Sequence, residues 1–216
     1  MPRISIPLQA SLDLFFPQVC VGCGERDDGG RVLCDECDAR VGSRLRPFPS
    51  PERVRSAWSL GSYEGPLGAM IRCGKYTPDG SAIEYLGSRL SDAARGRLPP
   101  VDRVCHVPVP WTRRATRGFD QAELLARRVA AAIDRPWSPL LQRLSGSEQA
   151  GRRRRDRQQW ARRAFRSRPI TDARILLVDD VYTTGASASA CAALLFEAGA
   201  QCVDFVCVAR VERTAG

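Results

Sequence analysis

A chain of 216 residues has room for one ordinary domain and a small appendage, and an apolar share of 44% is enough for a hydrophobic core. It contains no run of 18 apolar residues, so no membrane insertion is expected, and the N-terminus lacks the pattern of a secretory signal, so the expected compartment is cytoplasmic. The net charge is +9, and segment 152–168 alone, with nine arginines and one aspartate, carries +8. We therefore expect a polyanionic partner with a short contact region.

Two C-x-x-C pairs, separated by ten residues, lie near the start of the chain. Four thiolates in two short knuckles suit tetrahedral Zn²⁺, and because four cysteine ligands leave no open position, we expect the zinc to be structural. The predicted ligands are Cys20, Cys23, Cys34 and Cys37. A redox pair or two disulfides are the alternatives. The other five cysteines lie singly in apolar surroundings and are interpreted as buried thiols without chemistry.

After the cysteine-rich part, strand and helix patterns alternate along the chain. Residues 46–51 are rich in proline and are interpreted as a linker. Strands are predicted at 55–63, 103–109, 175–178 and 202–209, and helices at 67–72, 81–94, 120–133 and 187–198. This alternation predicts βαβ units and an α/β domain with a parallel sheet flanked by helices. We expect residues 1–45 to form the zinc-binding module and residues 46–216 to form the α/β domain.

Segment 175–187 carries the strongest functional signal. Four apolar residues predict a strand buried on both faces, and Asp179 and Asp180 follow at its C-terminal end, where ligands bind in open α/β sheets. The turn into the next helix can aim amides and hydroxyls at an anion, while the carboxylates must face a sugar. The residues of this turn are Thr183, Thr184, Gly185, Ala186 and Ser187. A solvated turn followed by a helix cap is the alternative.

The thirteen residues 175–187 resemble the phosphoribosyl pyrophosphate (PRPP) signature of type I phosphoribosyltransferases. The resemblance implies that Asp179 and Asp180, the predicted catalytic residues, hold the ribose 2′- and 3′-hydroxyls. It also implies that residues 183–187 cradle the 5′-phosphate and that Mg²⁺ arrives with the pyrophosphate. The resemblance thus implies a type I phosphoribosyltransferase fold for residues 46–216.

Segment 103–126 reads as a strand, a basic turn and a helix. Its Arg113, Arg114 and Arg117 fit the position of a pyrophosphate loop, although a surface turn that happens to be basic is the alternative. The motifs VPVP, RGFDQAELLA and LLVDDVYTTGAS together resemble the competence protein F (ComF) family, which is linked to DNA uptake. The likeness covers nearly the whole chain, including an N-terminal zinc module. Asp120 stands where the family motif RGFNQ has asparagine, and some relatives carry a second set of cysteine pairs that this chain lacks.

Segment 141–165 resembles a family segment with spaced arginines followed by Ala-Phe. Gln149, Arg154 and Arg157 match it, and its place between two strands implies a mobile loop that closes over PRPP. Arg152 replaces the usual leucine and Trp160 the usual asparagine. The extra arginines, with Trp160 as a base-stacking platform or a core residue, raise the alternative that this loop binds nucleic acid.

Lysine and histidine each occur only once in the sequence. Lys75, the sole lysine, is a candidate for a phosphate or acceptor contact, with an ordinary surface lysine as the alternative. His106, the sole histidine, lies within a predicted strand and is interpreted as a packed or edge residue rather than a general base.

Two functions remain open from the sequence. The first is an enzyme that binds Mg²⁺-PRPP and transfers the phosphoribosyl group to an unknown acceptor. The second is a non-catalytic competence component that binds single-stranded DNA, works with other competence proteins and keeps the PRPP pocket as a sensor or relic. The acceptor and the oligomeric state do not follow from the sequence.

Overall fold

The computed structural model of the chain describes residues 19–27, 31–76, 81–109, 115, 118–144 and 164–212. The described helices are α1 (Asp35–Val41), α2 (Gly65–Tyr76), α3 (Ser81–Ala94), α4 (Gln121–Ala132) and α5 (Ala186–Glu197). The described strands are β1 (Arg46–Phe48), β2 (Ala57–Ser62), β3 (Arg103–His106), β4 (Leu141–Arg143), β5 (Phe165–Ser167), β6 (Ala173–Tyr182) and β7 (Ala200–Arg210). Among the described helices, none has the length and apolar character that crossing a membrane requires.

The central sheet has the strand order β1-β2-β7-β6-β3. Strands β2, β7, β6 and β3 run parallel to one another, which confirms the predicted parallel arrangement flanked by helices. The interpretation of 46–51 as a linker was wrong, because Arg46–Phe48 forms β1 and pairs antiparallel with β2. The edge position explains why a strand can contain Pro47, since only about half of the backbone N–H and C=O groups of an edge strand pair with a neighbouring strand. The sheet is therefore mixed.

Each face of the sheet is covered by its own apolar layer. Leu176 and Val178 of β6 lie in a cluster with residues of α1 to α4, whereas Ile175 and Leu177 lie in a second cluster with residues of α5 and of β5. All four side chains are fully buried, as predicted for this strand. Burial on both faces explains why the strand reads as a continuous apolar run rather than an alternating one.

Two predicted strands differ from the observed ones by several residues at their C-terminal ends. β3 ends at His106, although the amide of Val107 still donates to the carbonyl of Val178 at 2.9 Å. Pro108 then has no N–H to continue the ladder. β6 runs on to Tyr182, so that Asp179 lies within the strand and opposite Cys207 of β7. The acidic pair is thereby held by sheet hydrogen bonds rather than by a free turn.

The cysteine-rich module packs directly against the α/β domain. Leu33, Cys37 and Val41 lie in the apolar cluster that covers the α2–α4 face of the sheet. Asp38 of α1 accepts hydrogen bonds from the Tyr85 hydroxyl and the Arg89 guanidinium, both on α3. Burial and this hydrogen bond to Asp38 raise the pKa of Tyr85 to about 12. The module is thus joined to α3 by both apolar packing and a polar network.

A separate two-stranded antiparallel sheet forms from β4 and β5, with Arg143 opposite Phe165. The amide of Leu144 donates to the carbonyl of Ala164 at 2.8 Å, which continues the pairing toward the intervening segment. Phe165 is buried against the α5 face of the sheet. The residues that flank segment 145–163, Leu144 and Ala164, are therefore held side by side.

Candidate functional site

The C-terminal ends of the parallel strands bring together the acidic pair of β6, helix α2 and the start of α5. Asp179 and Asp180 are partly buried there. The backbone amide of Asp180 donates to Asp179 Oδ1 at 2.8 Å. Burial raises the pKa of Asp179 well above its usual range, and the neighbouring charge of Asp180 raises it further. The two carboxylates therefore resist carrying two negative charges at once.

Lys75 contacts this pair directly. Its Nζ lies 3.1 Å from Asp180 Oδ2, and the two side chains are 22% and 20% exposed. The contact joins the last turn of α2 to the end of β6. The structure thus brings the sole lysine of the chain to the predicted ribose-binding carboxylates.

The predicted phosphate-binding residues comprise the turn from β6 into α5, at 183–185, and the first two residues of α5. Gly185 is the residue before the first turn of α5 and has φ of 75°, a conformation that favours glycine. A Cβ at this position would lie 2.6 Å from the Tyr182 hydroxyl oxygen. Thr183 and Thr184 are exposed, and Thr184 Oγ1 accepts from the amide of Ala186 at 3.4 Å. Because first-turn amides have no partner within their own helix, this turn can present N–H groups to an anion.

Asp120 is a site-forming residue whose role the sequence interpretation missed. It is 4% exposed and precedes the first residue of α4. Its carboxylate accepts from the amide of Glu123 at 3.3 Å and from the amide of Val109 at 3.1 Å. It therefore ties the chain after β3 to the start of α4. The spacing Asp-x-x-Glu is a helix-capping signal that could have revealed this role.

His106, the last residue of β3, lies close to Asp120. It is 5% exposed, it stacks on Trp137 with ring centroids 5.9 Å apart, and its Nε2 lies 3.7 Å from Asp120 Oδ2. The interpretation of His106 as a packed residue is confirmed. Gln121 is 2% exposed, and neither polar atom of its side chain has a hydrogen-bond partner among the described residues.

The four predicted zinc ligands converge at one point. The Sγ atoms of the two pairs lie within 4.8 Å of one another, and the Sγ atoms of Cys23 and Cys34 are 3.9 Å apart. Four sulfurs at about 2.3 Å from a tetrahedral zinc are expected to lie roughly 3.8 Å apart, so the group fits Zn²⁺. A Cβ at Gly22 would lie 2.8 Å from Cys37 Sγ, so the first knuckle leaves no room for a side chain there.

Backbone amides favour a thiolate in this cluster. The amides of Gly22 and Cys34 each donate to Cys20 Sγ at 3.3 Å. Burial alone would raise the pKa of Cys20, but these amide hydrogen bonds outweigh it and lower the pKa to about 6. Burial raises the pKa of Cys37, as expected for a thiol whose charge only a metal would balance.

The five single cysteines divide by burial. Three are buried and two are half-buried, and all nine cysteines of the chain are free of disulfides. The buried ones are Cys105, Cys191 and Cys207. Burial raises the pKa of each of these thiols, which keeps them protonated and unreactive. The predicted burial is confirmed for these three cysteines, whereas Cys73 and Cys202 are half-buried.

Two groups of predicted site residues lie outside the described residues. They are Arg113, Arg114 and Arg117 of the predicted pyrophosphate loop, and Gln149, Arg154 and Arg157 of the predicted mobile loop. The elements that flank them are described. The amide of Val109, which precedes the first group, donates to the Asp120 carboxylate. Strands β4 and β5, which flank the second group, pair with each other.

Comparisons with known proteins agree with the motifs. Residues 11–48 match the double zinc ribbon domain family, and the four cysteines of this stretch provide ligands for one metal site. The chain is 29% identical over 205 residues to the DNA utilization protein YhgH of Salmonella typhi, covering 89% of this chain and 90% of that protein. It is 28% identical over 207 residues to the competence protein ComFC of Bacillus subtilis (strain 168), covering 91% of this chain and 79% of that protein.

Solved structures with some likeness are phosphoribosyltransferases and an amidotransferase. The adenine phosphoribosyltransferase of Trypanosoma brucei, in complex with AMP, pyrophosphate and ribose-5-phosphate, has a TM-score of 0.46 at 12% identity and covers 77% of this chain and 87% of that chain. The glutamine PRPP amidotransferase of B. subtilis has a TM-score of 0.44 at 21% identity and covers 60% of this chain and 27% of that chain. TM-scores this low do not bear on function. The sequence relatives confirm the likeness that the motifs indicated: the chain is similar over about nine-tenths of its length to the ComFC and YhgH proteins, and its residues 11–48 match the double zinc ribbon domain family.

Proposed function

We propose that the chain binds Mg²⁺-PRPP at the C-terminal edge of its sheet and transfers the phosphoribosyl group to an acceptor that is still unknown. Asp179 and Asp180 accept hydrogen bonds from the ribose hydroxyls, and residues 183–187 bind the 5′-phosphate. Magnesium enters with the pyrophosphate of the ligand. In this proposal residues 46–216 form the phosphoribosyltransferase domain and residues 1–45 the zinc module.

The observation that carries this proposal is the placement of the acidic pair and the turn. Two partly buried carboxylates stand at the end of β6, and the exposed Thr183 and Thr184 follow immediately before α5. A diol needs strong acceptors and a phosphate needs N–H and O–H donors, so the two requirements are met side by side. The resemblance of residues 175–187 to the PRPP signature supports the same assignment.

Two loops that lie outside the described residues are proposed to complete the site. Arg113, Arg114 and Arg117 are proposed to bind pyrophosphate, and the segment with Arg154 and Arg157 is proposed to close over the ligand. The paired strands β4 and β5 support the second proposal, because they bring together Leu144 and Ala164, the residues that flank segment 145–163. Closure would exclude water from an oxocarbenium-like reaction, which needs positioning and charge stabilisation more than a dedicated base.

Calorimetry with PRPP and Mg²⁺ tests the binding site. Changing both Asp179 and Asp180 to asparagine keeps their size but weakens their acceptance of hydroxyl donors, at up to about 1.5–3 kcal/mol per lost bond to a charged group. Thr184→Val is expected to cost less, because the backbone amides stay in place. Asp102→Asn is a matched control, because Asp102 pairs with Arg174 at the N-terminal ends of β3 and β6, away from the proposed ligand. Binding by the double variant as tight as by the unaltered protein would place the ligand elsewhere.

A second candidate function is single-stranded DNA binding by a competence component whose PRPP pocket is a sensor or relic. The concentration of nine arginines in segment 152–168 favours it, and the relatives are named for competence and DNA utilization. Measuring pyrophosphate release from PRPP, with and without single-stranded DNA, separates the candidates. Release that depends on Asp179 and Asp180 supports the transferase, whereas PRPP binding without release supports the sensor. In either case we propose that the protein is cytoplasmic. Thiols stay reduced in the cytoplasm and can therefore hold zinc.

A further inference from the structure

Lys75 and Asp180 form an ion pair that is largely shielded from water. The 3.1 Å contact joins two side chains that are each about four-fifths buried. Exposed ion pairs contribute little because water and salt screen them, but screening weakens as both groups become covered. Solvent therefore screens the interaction between Lys75 and Asp180 less than it screens an exposed ion pair.

The packing of α2 holds Lys75 in this position. The preceding residue, Gly74, approaches its neighbours so closely that a Cβ there would lie 2.6 Å from Ile83 Cδ1 and 3.1 Å from Gln121 Nε2. The last turn of α2 is thus seated against α3 and the start of α4. Lys75 therefore reaches Asp180 from a helical turn that packs against two other helices.

The acidic pair needs such a cation if it is to accept an anionic ligand. Burial and the charge of Asp180 raise the pKa of Asp179, so the site already opposes a second negative charge. PRPP is a polyanion, and it would meet repulsion from an unbalanced pair of carboxylates. A carboxylate has room for about four hydrogen bonds, so Asp180 can keep Lys75 on Oδ2 and still accept from a hydroxyl.

We infer that Lys75 is the counter-ion of the ribose-binding carboxylates and that it selects anionic sugar phosphates over ligands of lower charge. This inference rests on the proposed PRPP site and adds a specificity-determining residue to it. Lys75 stays paired with Asp180 when the ligand binds and lowers the electrostatic cost of bringing phosphate groups beside two acids.

Calorimetric titration of the full-length zinc-loaded protein with Mg²⁺-PRPP and with ribose 5-phosphate tests this role. Lys75→Gln is expected to weaken PRPP binding about tenfold, equivalent to ~1.4 kcal/mol, and to weaken binding of the less charged ribose 5-phosphate by a smaller factor. The loss is expected to shrink as salt is added, because screening weakens the charge interaction but not packing. Lys75→Arg is expected to retain most of the PRPP affinity of the unaltered protein.

Arg72→Gln is the matched control, since it removes one positive charge from the exposed surface of the same helix. It is expected to leave both affinities within about twofold, because exposed charges interact weakly at a distance. Equal losses for the two ligands, or tighter PRPP binding by Lys75→Gln, would overturn the counter-ion role; tighter binding would mean that Lys75 competes with the ligand. A folded unaltered protein that binds no PRPP would overturn the proposed function itself and this inference with it.

Discussion

Replacing Asp179 with asparagine is expected to stabilise the ligand-free protein at neutral pH while weakening PRPP binding. Burial and the charge of Asp180 raise the pKa of Asp179 well above its usual range, and the charge of Asp120 adds to this effect. Asparagine removes the buried charge but keeps an oxygen that can accept from the amide of Asp180, which now donates to Asp179 Oδ1 at 2.8 Å. The variant thus loses the cost of ionisation without losing the local hydrogen bond.

The sign and size of the effect follow from proton binding. Because the folded protein holds the Asp179 proton more tightly than the unfolded chain, the free energy of unfolding falls as pH rises above the unfolded pKa of about 4. The slope is at most about 1.4 kcal/mol per pH unit for one proton, and it ends at the raised pKa of the folded state. The stability advantage of Asp179→Asn is therefore expected to grow with pH across this window and then to level off.

Denaturant unfolding of the two proteins between about pH 4 and 8 measures this difference. The pH dependence of the zinc site cancels, because both proteins share it. Asp102→Asn provides a control of opposite sign: the guanidinium of Arg174 lowers the pKa of Asp102, so this pair stabilises the fold at neutral pH and loses that contribution only in acid. A stability difference for Asp179→Asn that stays flat with pH, or that falls as pH rises, would contradict a raised pKa at Asp179.

Three further outcomes are expected. Metal analysis of the reduced protein should give about one zinc per chain, and Cys34→Ser should lose both the zinc and the ordered module; unchanged zinc content would exclude the four-thiolate site. Tyr85→Phe should destabilise the protein by about 1 kcal/mol, because it removes the hydrogen bond to Asp38 that joins the module to α3; an unchanged unfolding midpoint would show that this bond adds nothing. Neutralising three arginines that lie outside the family match should flatten the salt dependence of single-stranded DNA affinity; an unchanged slope would remove segment 152–168 from the DNA-binding hypothesis. These three arginines are Arg152, Arg153 and Arg155.

Local patterns in the sequence were sufficient for several features of the fold and the site. Two C-x-x-C pairs predicted the four zinc ligands, because a knuckle is formed by residues that are close in the chain. The apolar run 175–178 marked a strand buried on both faces, and the alternation of strands and helices indicated the parallel sheet. Where a local signal is ambiguous, the prediction fails: the proline-rich stretch 46–51 predicts a linker because proline disfavours most strands, yet residues 46–48 form an edge strand, which tolerates proline.

Local sequence patterns are enough to predict features that depend on neighbouring residues: the thiolate cluster, the acidic pair and the turn into α5. Which distant residues contact these features depends on tertiary packing. Lys75 and Asp180 are far apart in the chain, and their contact depends on strand order and on how α2 packs beside α4, neither of which leaves a periodic signal. The anchoring of α1 on α3 through Asp38 has the same origin. A periodic pattern records which face of an element is apolar, whereas the identity of the partner is decided by the packing of the whole chain.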